Sequence, residues 1–369
     1  MGGITVLCYY NRLSVFYSLA PLFYCKKELT KRFTFTDSLE YCLKRDRNQH
    51  LLIVRFFEGI NGDDLQDTSD IQRLRDKYHR VAFFDDSAGA GCTRFEYLPF
   101  VDIYFKRQLY RDRSIYFKEL YGRQLYSEYY HQNYGIEDHP ARTRLPLQEQ
   151  SDINKLHLAW NQGIGAYPMS TLRQRIGVAL ARSGFPRTGA HLSPLRPPRY
   201  VKNNPGTFDV HARLGVPTKM PSMFFQRKLL LDALKEHPGV LVGSVSQREY
   251  NAEIARSKII VSPFGWGEVC YRDFESILSA AVLVKPSMAH LETWPNVFAD
   301  GETYAPISWS CQDAWKVIER LLNDDTERSR LINNARDAYS DAFNSLNAQL
   351  EGFTQLIYGA SPVDVPEAA

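Results

Sequence analysis

An α/β protein of two domains, each built on a parallel sheet, follows from three observations on the sequence. Residues 257–286, SKIIVSPFGWGEVCYRDFESILSAAVLVKP, read strand, loop, helix, strand, which is the repeating unit of a parallel sheet. The first half has the same rhythm. Apolar runs at Ile4–Tyr9, Leu51–Phe57 and Val81–Phe84 alternate with polar or helical stretches such as Asp70–Tyr78, as in strands covered on both faces. With 369 residues, 44% of them hydrophobic, the chain can fill two cores of ordinary size.

Composition narrows the partners. Lys and Arg number 45 against 42 Asp and Glu, a net charge of +3, so no overall field demands nucleic acid. The six cysteines, at 8, 25, 42, 92, 270 and 311, are scattered without CxxC spacing, which predicts a reduced, cytoplasmic chain with no structural zinc. The apolar start is interrupted by Asn11 and Arg12 and lacks a basic leader region, so neither a signal peptide nor a membrane span is expected. No internal repeat is visible, and the tail SPVDVPEAA reads as disordered.

Taken in order, the first domain is expected over residues 1–200. Asp85 and Asp86 close its third apolar run in AFFDDSAGAG, and a carboxylate at a strand's carboxyl end faces the crevice where open α/β sheets bind ligands. The pair is therefore a candidate general base, with a turn or helix cap as the other reading. Residues 100–136 interleave Tyr with Arg and Lys. Such a segment can stack on sugars or bases, or it can form an aromatic core with solvated charges. Lys106, Arg107 and Arg111 are its candidates for anionic contacts, including peripheral contact with a membrane surface.

Pro, Gly and Arg then accumulate, and the hinge is placed near Ser193–Thr207. A second domain over 201–369 begins with a strand at Phe208–Ala212, followed by Arg213, a loop carrying Lys219, and a helix. Further strands are expected at Val240–Val242 and Tyr304–Ile307, and helices at Gln247–Ser257, Gln312–Leu322 and across Asp325–Tyr358. Within the 257–286 unit, Tyr271, Phe274, Ile277 and Leu278 fall at helical spacing, while Arg272 and Glu275 share a different face. Gly265 and Gly267 allow close backbone approach to a phosphate, and the helix start adds its positive end. His290 follows the next strand and reads as a sugar or phosphate contact, or as a packed histidine.

The stretch SPFGWGEVCYRDFESILSAAVLVKP resembles the nucleotide-sugar signature of GT-B glycosyltransferases, closest to the exostosin-like branch, with a Ser-Pro-x-Gly turn at Ser262–Gly265 before an Arg-x-x-Glu helix. The resemblance implies two Rossmann-like domains facing a cleft, the donor in the second and the acceptor in the first. It puts Glu275 on the donor ribose and, by position, Arg213 and Lys219 near the phosphates. It also implies a last helix that crosses back to the first domain. Retaining members often separate two Glu by seven residues, whereas Glu268 and Glu275 are separated by six, so the stereochemical outcome is open. No Asp-x-Asp triplet occurs, which predicts transfer without metal or other cofactor. The expected partners are a nucleotide-sugar donor and a glycan or lipid-linked acceptor. A non-catalytic sugar- or nucleic-acid-binding module on the same scaffold is the alternative.

Overall fold

In the computed structural model the described residues are 3–8, 18–22, 29, 31–44, 49–56, 68–139, 143–165, 172, 176–177, 179–180, 183, 185, 197–202, 204–215 and 220–360. Lys219, residues 193–196 and 203 of the expected hinge, and the tail lie outside them.

Five apolar stretches and one aromatic one build the first sheet. Its strands are β1 (Ile4–Cys8), β2 (Phe33–Thr36), β3 (His50–Val54), β4 (Arg80–Asp85), β5 (Ile103–Lys106) and β7 (Leu156–Leu158). They lie in the order β2-β1-β3-β4-β5-β7, every pairing parallel. Central strands β1 and β3 are buried at every position, as expected of a sheet with both faces covered. Helices α1 (Leu39–Lys44) and α2 (Ser69–Lys77) lie in the connections leading to β3 and β4.

The second sheet has the order β13-β11-β10-β8-β9, again wholly parallel. Its strands are β8 (Phe208–His211), β9 (Val240–Leu241), β10 (Ser257–Val261), β11 (Val282–Pro286) and β13 (Ala305–Ile307). The crossing helices are α4 (Pro221–Leu234), α5 (Gln247–Ile254) and α6 (Tyr271–Ser279), and α7 (Ala314–Asn323) follows the last strand. Helix α6 shows why the signature folds as it does. Phe274, Ile277 and Leu278 are buried beneath it, while Asp273 accepts a hydrogen bond from the Cys270 backbone at the helix start (2.8 Å), closing a capping box. Each half is thus a Rossmann-like domain.

Three features tie the halves together. Strand β6 (Gln108–Tyr110) pairs antiparallel with β12 (Leu291–Thr293). Helix α3 (Leu125–Tyr134) packs on α4, and its Tyr130 hydroxyl receives the Gln226 amide at 2.8 Å. The long helix α8 (Asp325–Asn344) runs on into α9 (Leu346–Tyr358), whose Leu350, Phe353 and Ile357 pack into the same cluster as Val6, Leu52, Phe84 and Phe105 of the first sheet. The chain therefore crosses back to its first domain at the end.

Most tyrosines of residues 100–136 form core, with Tyr134 exposed. Tyr104, Tyr110, Tyr116, Tyr126 and Tyr130 are all at most 1% exposed, and their cluster continues through Phe264, Phe274 and Leu291 of the second domain. The neighbouring cations are engaged as well. Lys106 meets Asp85, Arg107 meets Asp86 and Gln162, and Arg111 donates to the backbone oxygens of Ala289 and Leu291.

Candidate functional site

A cavity of about 270 Å³ opens at the carboxyl end of β10, between the starts of α5 and α6. Its walls carry Arg227 from α4, Gln247 and Tyr250 from α5, Ser262, Pro263 and Cys270 from the signature loop, and Tyr271, Arg272 and Glu275 from α6. A crevice beyond strand ends, with a helix N-terminus on its wall, suits an anion.

Arg272 and Glu275 are linked through a residue that their spacing does not reveal. Tyr250 donates its hydroxyl proton to Glu275 Oε2 (2.8 Å) and accepts from Arg272 Nε (3.2 Å). The remaining bonds of Arg272 go to the backbone oxygens of Val261 (3.2 Å) and Arg213 (2.6 Å). A guanidinium has five N–H donors, so after these three bonds two remain for a ligand. Burial pushes the Glu275 carboxyl above its ordinary range, against the pull of Tyr250 and Arg272. Arg227, the second cation on the wall, contacts the Gly215 and Phe264 oxygens, and its buried Nε has no partner.

Below the cavity lies a buried ion pair, Asp273 with Lys285 (3.2 Å), both wholly inaccessible. The Ser262 hydroxyl donates to Asp273 at 2.5 Å, so this serine lines the site while its side chain anchors the loop. Arg213 is held in a fork by Glu253, at 2.6 and 2.9 Å, and is absent from the cavity wall. Its carbonyl, through Arg272, is what it contributes.

The glycines act between the domains. A methyl on Gly267 would overlap the Ala88 carbonyl, and the Gly265 N–H is used within the turn, donating to the Gly267 oxygen (2.9 Å). Next to them, Glu268 is fully buried, and its Oε2 accepts from the Ala90 N–H (3.1 Å) and Gln108 Nε2 (3.2 Å) while Oε1 has no partner. This carboxylate thus locks the Gly-rich loop of the first domain to the signature loop of the second. Burial raises its pKa, with Lys106 the facing cation that opposes the rise. An acid whose pKa rises on folding binds more protons in the native state, so its contribution to stability is full at low pH and shrinks as pH rises. Glu268→Gln should therefore gain melting temperature relative to wild type between pH 5 and 8; a constant difference across that range would show that Glu268 stays charged.

Asp85 and Asp86 stand at the carboxyl end of β4, both at 0% exposure and neither on the cavity wall. Asp85 accepts from Lys106 (3.1 Å), the Tyr104 hydroxyl (2.5 Å) and the Ser87 N–H (2.9 Å). Burial alone would raise its pKa, but Lys106 and these hydrogen bonds outweigh it and hold the carboxyl low. Asp86 is bound by Ser18, Arg55 and Arg107. Asp86, Arg55 and Arg107 thus form one charge cluster at the carboxyl end of β4. His290 lies elsewhere, against Trp309 (ring centroids 5.1 Å) and Tyr110 (6.2 Å), and burial lowers its pKa to about 4. It is a packed, neutral histidine of the domain junction. Lys219 is outside the described residues.

Sequence reading thus reached Ser262, Arg272 and Glu275 and missed Arg227, Gln247, Tyr250, Cys270 and Tyr271. Tyr250 sits on α5, which packs on α6, and Arg227 on α4, which packs on α3 and α7, so only the tertiary arrangement brings both to one cavity.

No protein-family model and no curated protein matches the sequence. Solved structures with similar chains include a glycosyltransferase from Rickettsia africae (10% identity, 96% of this chain and 98% of that one, TM-score 0.45). T4 phage β-glucosyltransferase is 10% identical over 96% and 99% (TM-score 0.43). A UDP-N-acetylglucosamine 2-epimerase named as putative, from Listeria monocytogenes, is 8% identical over 98% and 99% (TM-score 0.42). The structure consists of two wholly parallel Rossmann-like sheets, tied together by the β6–β12 pair, by α3 on α4 and by α9. Among the described residues no helix is long and apolar enough to cross a membrane.

Proposed function

We propose that the chain is a glycosyltransferase of the GT-B type that draws on a nucleotide-sugar donor bound at the α5–α6 cavity. The observation that supports this most is the convergence of Arg227, Arg272 and the start of α6 with the Tyr250–Glu275 pair around one crevice. Two guanidiniums and a helix N-terminus suit a diphosphate. A carboxylate three residues further along the helix suits ribose hydroxyls. The acceptor, a glycan or lipid-linked saccharide, would approach from the first domain, whose Arg55–Asp86–Arg107 cluster stands at the carboxyl end of β4. Asp86, tied to two arginines, serves there as a scaffold for those cations rather than as the general base expected from sequence.

Calorimetry with UDP, GDP and CMP tests the reading. Binding of one nucleotide supports it, whereas binding of an oligonucleotide or glycan alone would favour a non-catalytic module. Transfer is proposed to need no metal, since the negative charge on the departing diphosphate is met by Arg227, Arg272 and the helix dipole. EDTA should leave the rate unchanged, and a loss reversed by manganese or magnesium would refute this part.

A further inference from the structure

We propose that a nucleotide lies lengthwise in the groove between α5 and α6, its phosphates in the cavity just described and its base in a second, largely apolar slot. The proposal rests on the donor reading and adds to it an orientation and a base-binding site. The slot has a volume of about 130 Å³, and its lining includes Asn251, Ile254 and Ala255 of α5, Leu278 of α6, and Arg199. Glu275 lines both cavities.

Three observations carry the orientation. Both helices run back from the carboxyl end of the sheet, so on each the apolar residues of the slot lie one to two turns beyond the polar cavity: Ile254 after Tyr250, Leu278 after Arg272. The chemistry changes along that line in the order of a nucleotide's parts, with arginines and a helix start first, the Tyr250–Glu275 pair next, and Ile254 with Leu278 last. Arg272 and Leu278 are separated by about 9 Å of helix at 1.5 Å per residue, room for the ribose between phosphate and base.

The slot also has a fixed wall and a polar handle. Val201 donates its N–H to the Leu278 carbonyl (2.8 Å), holding the 199–201 strap against α6. Asn251 uses its Oδ1 to accept from Gln247 (2.9 Å), which leaves its amide N–H groups to meet an acceptor on a base edge. Bound this way, the sugar end of the donor points to the signature loop, where the first domain abuts, and the base points away from it.

Calorimetry on the full chain decides this with UDP, GDP, CDP and inorganic pyrophosphate as probes. Ala255→Leu fills the slot from a half-buried position without touching the phosphate end. It should weaken the preferred nucleotide by about tenfold or more, as expected when added methylenes oppose a ligand group, and leave pyrophosphate binding as in wild type. Should that variant not fold, Asn251→Leu removes the amide donor at a partly exposed position and must lower nucleotide affinity alone. Nucleotide affinity unchanged by either folded variant would overturn the slot while the donor pocket stands. If wild type binds neither pyrophosphate nor any nucleotide, the donor reading itself fails and the slot with it.

Discussion

Arg272→Ala is expected to lower kcat of the proposed transfer by about 10²–10³-fold, the effect of removing one donor aimed at charge that develops in a transition state. The diphosphate gains charge as the glycosidic bond breaks, so the loss should fall on turnover as well as on KM. Arg272→Lys should recover only part, since an ammonium cannot offer paired N–H groups to phosphate oxygens. Glu275→Gln behaves differently. A hydrogen bond to ribose is made in ground and transition states alike, so its weakening should raise donor KM, by about 1.5–3 kcal/mol of binding, with kcat nearly kept. Tyr250→Phe separates the two, because it removes the hydroxyl that bridges Arg272 and Glu275 and leaves both charges in place. Steady-state kinetics of the four variants, with circular dichroism confirming the fold, is the measurement. Wild-type kinetics in both Arg272→Ala and Glu275→Gln would remove α6 from the donor site.

Asp273→Ala should cost about 3–5 kcal/mol of stability, the penalty for leaving one partner of a buried ion pair uncompensated. Lys285 would remain with no accessible surface and only the Ser262 carbonyl (3.4 Å) and the Phe264 ring (5.3 Å) for company. The same change frees the Ser262 hydroxyl and the Cys270 N–H from their acceptor, so the signature loop loses its anchor and the start of α6 its cap. Urea unfolding should show a lower midpoint, and nucleotide affinity should fall in the surviving folded protein. Replacing both partners, Asp273→Leu with Lys285→Met, should destabilise less than Asp273→Ala alone, because two apolar groups leave no orphan charge. A double variant as unstable as the single one would show that packing, and not charge, sets the cost.

Much of the architecture was legible in one dimension because parallel strands buried on both faces carry continuous apolar runs. Ile4–Cys8, Arg80–Asp85 and the β10–α6–β11 unit all announce themselves in this way. The helix pattern of residues 271–279 likewise placed Arg272 and Glu275 together on the α6 wall. These features depend on local periodicity, which a sequence displays directly.

What the sequence could not display is which atoms meet across long separations. Arg213 is expected by position to meet a phosphate while Arg227 is not singled out in the sequence, and only the fold shows that Glu253 occupies the first while the second lines the cavity. Gly267 reads as a phosphate-binding glycine until Ala88, far away in the chain, is found against it. The tyrosines of residues 100–136 look like a stacking surface because their burial depends on β6 pairing with β12 and on α3 docking on α4. Composition and period determined two parallel α/β domains and one helix of the site. The partners of each charge were decided by tertiary packing, because a buried charge must be paired and its partner need not be near it in sequence.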